Sequence, residues 1–115
     1  MSCLFDSLSY FINRTSTEIR QIICNYLEEN NSIIDGLETS FILELENKNY
    51  IKDMRRNNTW GGAIEIQSAC NIWNIRILVH NVRKDSVIEF LPLKNKYNHT
   101  IALLWYGNHY EPYKK

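Results

Sequence analysis

The chain has 115 residues, 44% of them hydrophobic and 12% aromatic, enough for one packed core, so residues 1–115 are expected to form a single domain. Lys+Arg and Asp+Glu balance at 13 each, so no overall field draws the chain to nucleic acid or to an anionic membrane. The apolar runs IRILV and IALLWY fall far short of the roughly 20 residues that span a bilayer, and three cysteines without a CxxC support neither a disulfide framework nor a zinc site, so a reducing, cytoplasmic setting fits best.

In chain order, CLFDSLSYFIN (3–13) spaces Leu4, Leu8, Phe11 and Ile12 as a short, largely buried helix with Cys3 at its N-terminal end. Thr15-Ser16-Thr17-Glu18 is a capping box, in which the Thr15 hydroxyl accepts from the Glu18 backbone and the carboxylate reaches back. It starts a helix with Ile19, Ile22, Ile23, Tyr26 and Leu27 on one face, Arg20, Gln21, Asn25 and Glu28 opposite, Cys24 beside the core and a stop near Asn30-Asn31. Over 37–47, Phe41, Ile42 and Leu45 line one helical face; Tyr50, Ile51 and Met54 form a short amphipathic helix running into Arg55-Arg56, which reads as wet surface. Trp60-Gly61-Gly62 precedes a helix carrying Ile64, Ile66, Ser68, Ala69, Cys70 and Ile72 that ends near Trp73-Asn74.

After residue 74 the apolar period shortens. Ile75–Val79, Ser86–Leu91 and Ile101–Tyr106 read as strands, with KNKYNHT as the polar loop between the last two. Helices first and strands later predict an α+β or mixed α/β domain, with a small central sheet in the C-terminal half packed by helices. No internal repeat is present.

A thiol at a helix N-terminus faces unpaired N–H groups and the positive end of the helix dipole, which favour the thiolate and can also hold an oxyanion. His109 follows a predicted strand through Gly107-Asn108, a position from which a rigid sheet aims a side chain into a cleft. A neutral imidazole there can take the thiol proton and later return it to a leaving amine. Glu111, two residues on, projects to the same side of an extended chain and can orient the ring, with Asn108 as the alternative orienter. From the residues alone a second reading stands beside this triad, in which Cys3 is a core residue and His109 a surface one. Cys24, Cys70, His80 and His99 read as structural or solvated.

Four segments occur in an order that resembles the ovarian tumour (OTU) family of cysteine deubiquitinases: CLFDSLSYF, TEIRQIICNYLEEN, YIKDMRRNNTWGGAIEIQSACNIWNIRILVHN and GNHYEPY. The resemblance covers nearly the whole chain. It implies an OTU-like cysteine protease fold with Cys3 as nucleophile and His109 as general base. It further implies hydrolysis, through a thioester and without a cofactor or metal, of the bond after the C-terminal glycine of ubiquitin or a ubiquitin-like modifier. Trp60, Gly61, Gly62 and Glu65 then look like framework. An inactive OTU fold that binds ubiquitin or a host protein is the competing expectation. Two positions depart from the family: Met1-Ser2 stand where it usually has Asp-Gly-[Asn/Asp], and Glu111 stands where it often has Asp or Asn. The first leaves two expectations, a start inside a longer protein or an oxyanion held by the Cys3 backbone N–H with a substitute donor.

Overall fold

The computed structural model describes residues 3–29, 42–43 and 49–114. The order of elements is as the periodicity predicts, helices and then a sheet. Helix α1 (Cys3–Phe11) buries Leu4, Phe5, Ser7 and Leu8. It ends two residues before the predicted Asn13, because the chain reverses there, with Arg14 N–H donating to the Ile12 carbonyl at 2.7 Å. Helix α2 (Ser16–Glu29) starts on the capping box: Thr15 N–H donates to Glu18 Oε1 at 3.0 Å and Glu18 N–H to Thr15 Oγ1 at 3.1 Å. Ile19, Ile23, Cys24 and Leu27 are buried as expected. The predicted helix over 37–47 and the stop near Asn30-Asn31 fall outside the described residues, apart from Ile42 and Leu43, which are helical.

Helix α3 (Tyr50–Met54) is short, and α4 (Ala63–Trp73) follows the Trp60-Gly61-Gly62 segment. Asn74 ends α4 in the left-handed region at φ 52°, a conformation asparagine tolerates, and its N–H donates to the Cys70 carbonyl. No helix among the described residues is long and apolar enough to cross a membrane.

The sheet has the order β2-β1-β3-β4, formed by β1 (Ile75–Asn81), β2 (Ser86–Phe90), β3 (His99–Trp105) and β4 (Tyr110–Pro112). β1 pairs antiparallel with β2 and parallel with β3, and β3 pairs antiparallel with β4. β1 is the central strand and alternates between buried and half-buried side chains, with Ile75, Ile77 and Val79 facing the core. The parallel pair needs no helical crossover, because residues 91–98 pass across the start of β1, where Asn98 N–H donates to the Asn74 carbonyl at 2.9 Å. The strand reading therefore needs two corrections. His99 and Thr100, read as loop from their polarity, pair with Ile75 and Arg76. β4 was not expected at all: it is three residues long and contains Pro112, which an edge strand accepts because its missing N–H faces no neighbour.

A third correction concerns charge. Arg20, read as part of the polar face of α2, is 1% exposed. Its guanidinium lies 4.2 Å from the centroid of the Phe5 ring and donates to the Met54 carbonyl at 2.8 Å and to the Asn57 carbonyl at 3.2 Å. Arginine can do this because its planar fork places several donors around one buried point. Arg55, read as wet surface, donates to Gln21 Oε1 at 2.8 Å and Asn25 Oδ1 at 2.9 Å and pairs with Glu28, tying α3 to α2.

Glu65, fully buried at the third position of α4, accepts from Gly62 N–H at 2.7 Å and from the Tyr50 hydroxyl at 2.5 Å. Burial pushes its carboxyl above the usual carboxylate range, although the Tyr50 and Gly62 hydrogen bonds and the charge of Arg20 pull the other way. The bonds hold the Trp60-Gly61-Gly62 segment against α1, where a Cβ on Gly61 would lie 2.8 Å from Leu4 Cδ2 and 3.0 Å from Phe5 Cε2. Only glycine permits that approach.

Two outcomes follow. Arg20→Met keeps the apolar stem but leaves the enclosed Met54 carbonyl without its donor, so urea denaturation should show a loss of roughly 1–3 kcal/mol. For Glu65, the folded carboxyl lies above the unfolded value of about 4.3. The stability linked to its protonated form is fully present below that value and is lost as pH rises through the folded one. Glu65→Gln cannot ionise, so its melting temperature relative to the parent should rise with pH across this interval; a constant offset would mean that Glu65 titrates normally.

Candidate active site

The three cysteines occupy different environments. Cys24 and Cys70 are fully buried, and burial pushes their thiols up to about 11 and about 12. The Cys70 thiol in addition donates to the Phe90 carbonyl at 3.6 Å. Both are poor nucleophiles at neutral pH. Cys3, by contrast, is only partly buried and begins α1, its carbonyl accepting from Ser7 Oγ at 2.7 Å.

Helix α1 packs on β4, the strand that enters from the His109 turn. Residues 106–109 form that turn, closed by Tyr106 N–H donating to the His109 carbonyl at 3.0 Å. Gly107 adopts φ 93°, in the region that favours glycine, and a Cβ there would meet the Arg83 guanidinium at 3.3 Å. Beside it, Val82 N–H donates to the Trp105 carbonyl at 3.0 Å, so the β1–β2 and β3–β4 turns lie together at the C-terminal ends of the two parallel strands.

His109 and Glu111 project to the same side, with 3.3 Å between Nε2 and Oε2. That contact engages Nε2 and leaves Nδ1 for another partner. Tyr110, between them, turns inward: it stacks on Trp105 with centroids 6.3 Å apart, and burial pushes its hydroxyl above the usual phenol range. The Cys3 thiol and the Glu65 carboxylate lie close enough to raise it further. Thus the structure joins His109 to Glu111 and sets Cys3 near the residue that separates them. Asn108, the alternative orienter, lines a neighbouring groove.

That groove, of about 400 Å³, runs from the exposed Trp60 and Ile88 past Phe90 and Trp105 to Asn108 and Tyr110, and it is mainly apolar. The remaining histidines lie elsewhere in the sheet: His80 packs edge-on against Tyr113 at 4.7 Å, and His99 is exposed in β3. Among the described residues no group of three or more His, Cys, Asp or Glu side chains is placed to hold a metal ion. The residue that sequence reasoning missed is Tyr106, whose ring stacks on His109. Its only signal was an aromatic three positions before a histidine across a glycine turn.

Comparison with known proteins adds a third line. The profile of the family described as OTU-like cysteine protease matches residues 2–113. The OVARIAN TUMOR DOMAIN-containing deubiquitinating enzyme 9 of Arabidopsis thaliana is 32% identical over 114 residues, covering 95% of this chain and 32% of that protein. Ubiquitin thioesterase OTU1 of Rattus norvegicus is 28% identical over 120 residues, covering 99% and 34%. The chain thus spans about a third of the length of these curated relatives. A solved structure of an ovarian tumour (OTU) domain in complex with ubiquitin superposes with a TM-score of 0.77 at 26% identity, covering 96% of this chain and 62% of that one. With a family profile that extends over nearly every residue and a superposition of the same order of elements, the chain belongs to the OTU-like cysteine proteases.

Proposed function

We propose that this chain is a cysteine deubiquitinase domain that cleaves the bond after the C-terminal glycine of ubiquitin or a ubiquitin-like modifier, with Cys3 as nucleophile, His109 as general base and acid, and Glu111 as the residue that orients the imidazole. The observation that carries it is the His109–Glu111 pair, at the turn into and on the strand against which the Cys3 helix packs. Curated relatives named as ubiquitin thioesterases and a similar domain solved with ubiquitin supply the substrate class.

The chemistry is then redox-neutral acyl transfer. His109 takes the Cys3 proton, and the thiolate attacks the glycine carbonyl carbon. The N–H groups of the first turn of α1, which have no partner within the helix, are the donors this reading assigns to the oxyanion. The tetrahedral intermediate collapses as the C–N bond breaks, and His109 returns the proton to the departing lysine or N-terminal amine. Water, deprotonated by His109, attacks the thioester; the C–S bond breaks and the modifier leaves as a carboxylate. The reaction calls for no cofactor. The groove takes the extended tail of the modifier, its apolar walls holding side chains. The balanced charge gives no reason to invoke nucleic acid or a membrane. We place the chain in the cytoplasm as a single unit of residues 1–115, since three cysteines without disulfides suit a reducing compartment.

The test is ubiquitin bearing a C-terminal electrophile, read by intact mass. The parent should form one covalent adduct that Cys3→Ala abolishes. Loss of a positioned general base should slow ubiquitin hydrolysis by roughly 10²–10⁴-fold in His109→Ala. Glu111→Ala should lose less, because its half-exposed carboxylate is partly replaced by water. A folded parent that forms no adduct yet binds ubiquitin in a titration would identify a binding domain instead. Separately, iodoacetamide near neutral pH should label Cys3 alone in the folded protein, and Cys24 and Cys70 only in denaturant. Simultaneous labelling of all three would remove the distinction between them.

A further inference from the structure

Tyr106 has no part in the mechanism above, yet it meets both His109 and Glu111. Its ring stacks on the imidazole with centroids 6.2 Å apart and planes 29° from parallel, within the range of offset aromatic pairs. Its hydroxyl points at Glu111 Oε1 from 3.5 Å, while His109 Nε2 lies 3.3 Å from the other oxygen, Oε2. The two oxygens of one carboxylate are thus addressed by two different rings, and those rings lie face to face. The turn makes this possible: the Tyr106 N–H to His109 carbonyl bond and the positive φ of Gly107 bring residues 106 and 109 to the same side.

The need for such a device is physical. His109 and Glu111 are 49% and 50% exposed, and water competes for both partners of a contact that open. Glutamate also carries one more rotatable bond than aspartate, so more of its rotamers point away from the ring. We propose that Tyr106 is a positioning residue for the reaction, its ring fixing the plane of the His109 imidazole and its hydroxyl selecting the Glu111 rotamer that meets it. This rests on the reading of His109 as the general base. Tyr106 does not line the apolar groove, so its influence belongs to kcat and not to substrate binding.

The experiment is a double-mutant cycle on ubiquitin carrying a C-terminal fluorogenic amide, with Tyr106→Phe and Tyr106→Leu each made in the parent and in Glu111→Ala. One neutral hydrogen bond predicts that Tyr106→Phe lowers kcat roughly 3- to 10-fold with KM unchanged. Tyr106→Leu, which also removes the stack, should lower it further, and Tyr106→Phe should have no effect once Glu111 is alanine. Thermal melts establish that each variant is folded. An unchanged kcat, a change confined to KM, or an equal loss in both backgrounds would overturn the proposal.

A second arm needs no ubiquitin: the iodoacetamide alkylation rate of Cys3 under mildly acidic conditions in the same variants, with His109→Ala as reference. If His109→Ala slows alkylation and Tyr106→Phe does not, the positioning role fails alone. If both slow it but ubiquitin is not turned over, the substrate assignment fails and Tyr106 keeps its role. If His109→Ala changes nothing, there is no imidazole to position and both fall.

Discussion

The first turn of the nine-residue helix that Cys3 begins is braced by the glycine segment packed against Leu4 and Phe5, and one buried carboxylate holds that segment in place. Glu65 joins three segments that are distant in sequence, through Gly62 at the start of α4, Tyr50 at the start of α3, and the field of Arg20 on α2. Arg20 in turn lies under the Phe5 ring, and Gly61 presses on Leu4 and Phe5 from the other side. The two residues after Cys3 are therefore enclosed, while Cys3 remains partly open. An apolar cluster could supply as much burial, but apolar contacts are non-directional. Hydrogen bonds to a buried carboxylate are directional, so they fix where the Trp60-Gly61-Gly62 segment sits and with it one wall of the groove.

The second half of the site is built on a different principle. β4 has only three residues and pairs on one side, too few ladder bonds to fix a histidine by themselves. Stacked rings supplement them. Trp105 and Tyr110 stack on the inner side of the β3–β4 hairpin, and Tyr106 and His109 stack at the turn. The packing of α1 on β4 then brings the cysteine and histidine halves together.

Much of this was legible in the chain. The Thr15–Glu18 capping box, the apolar face of α2 and the alternation of β1 carry local signals, because each depends on residues within a few positions of one another. Cys3, His109 and Glu111 were singled out together from residue type and element boundaries, and the structure sets His109 beside Glu111 with the Cys3 helix packed on the strand that follows. What escaped depends on tertiary context. Arg20 reads as surface on a helical wheel because its carbonyl partners, on Met54 and Asn57, lie more than thirty residues away. β4 escaped because three residues containing a proline carry no periodicity, and the register of Leu103 with Pro112 is decided by the turn before it. Tyr106 looked like the last apolar residue of a strand; only the turn closed by the His109 carbonyl makes it a neighbour of the imidazole.

Glu65 and Glu111 show how environment divides labour between identical side chains. Glu65, without water and with two hydrogen-bond donors fixed by the frame, has its carboxyl pushed upward by burial; its value lies in the geometry of what it holds. Glu111, half exposed, has an imidazole on one oxygen and a phenol near the other, and it can exchange with solvent during a reaction cycle. Exchanging their surroundings would defeat both: a buried carboxylate beside His109 would hold the proton that the leaving amine needs, and a hydrated one at residue 65 would not order the glycine segment. The fold therefore confines Arg20 and Glu65 to the enclosed frame behind Cys3 and leaves His109 and Glu111, the residues proposed for proton transfer, at the half-exposed rim. If Glu111 orients the imidazole as proposed, a carboxylate this open needs support that a buried one would not, and the Tyr106 ring stacked on His109 is placed to give it.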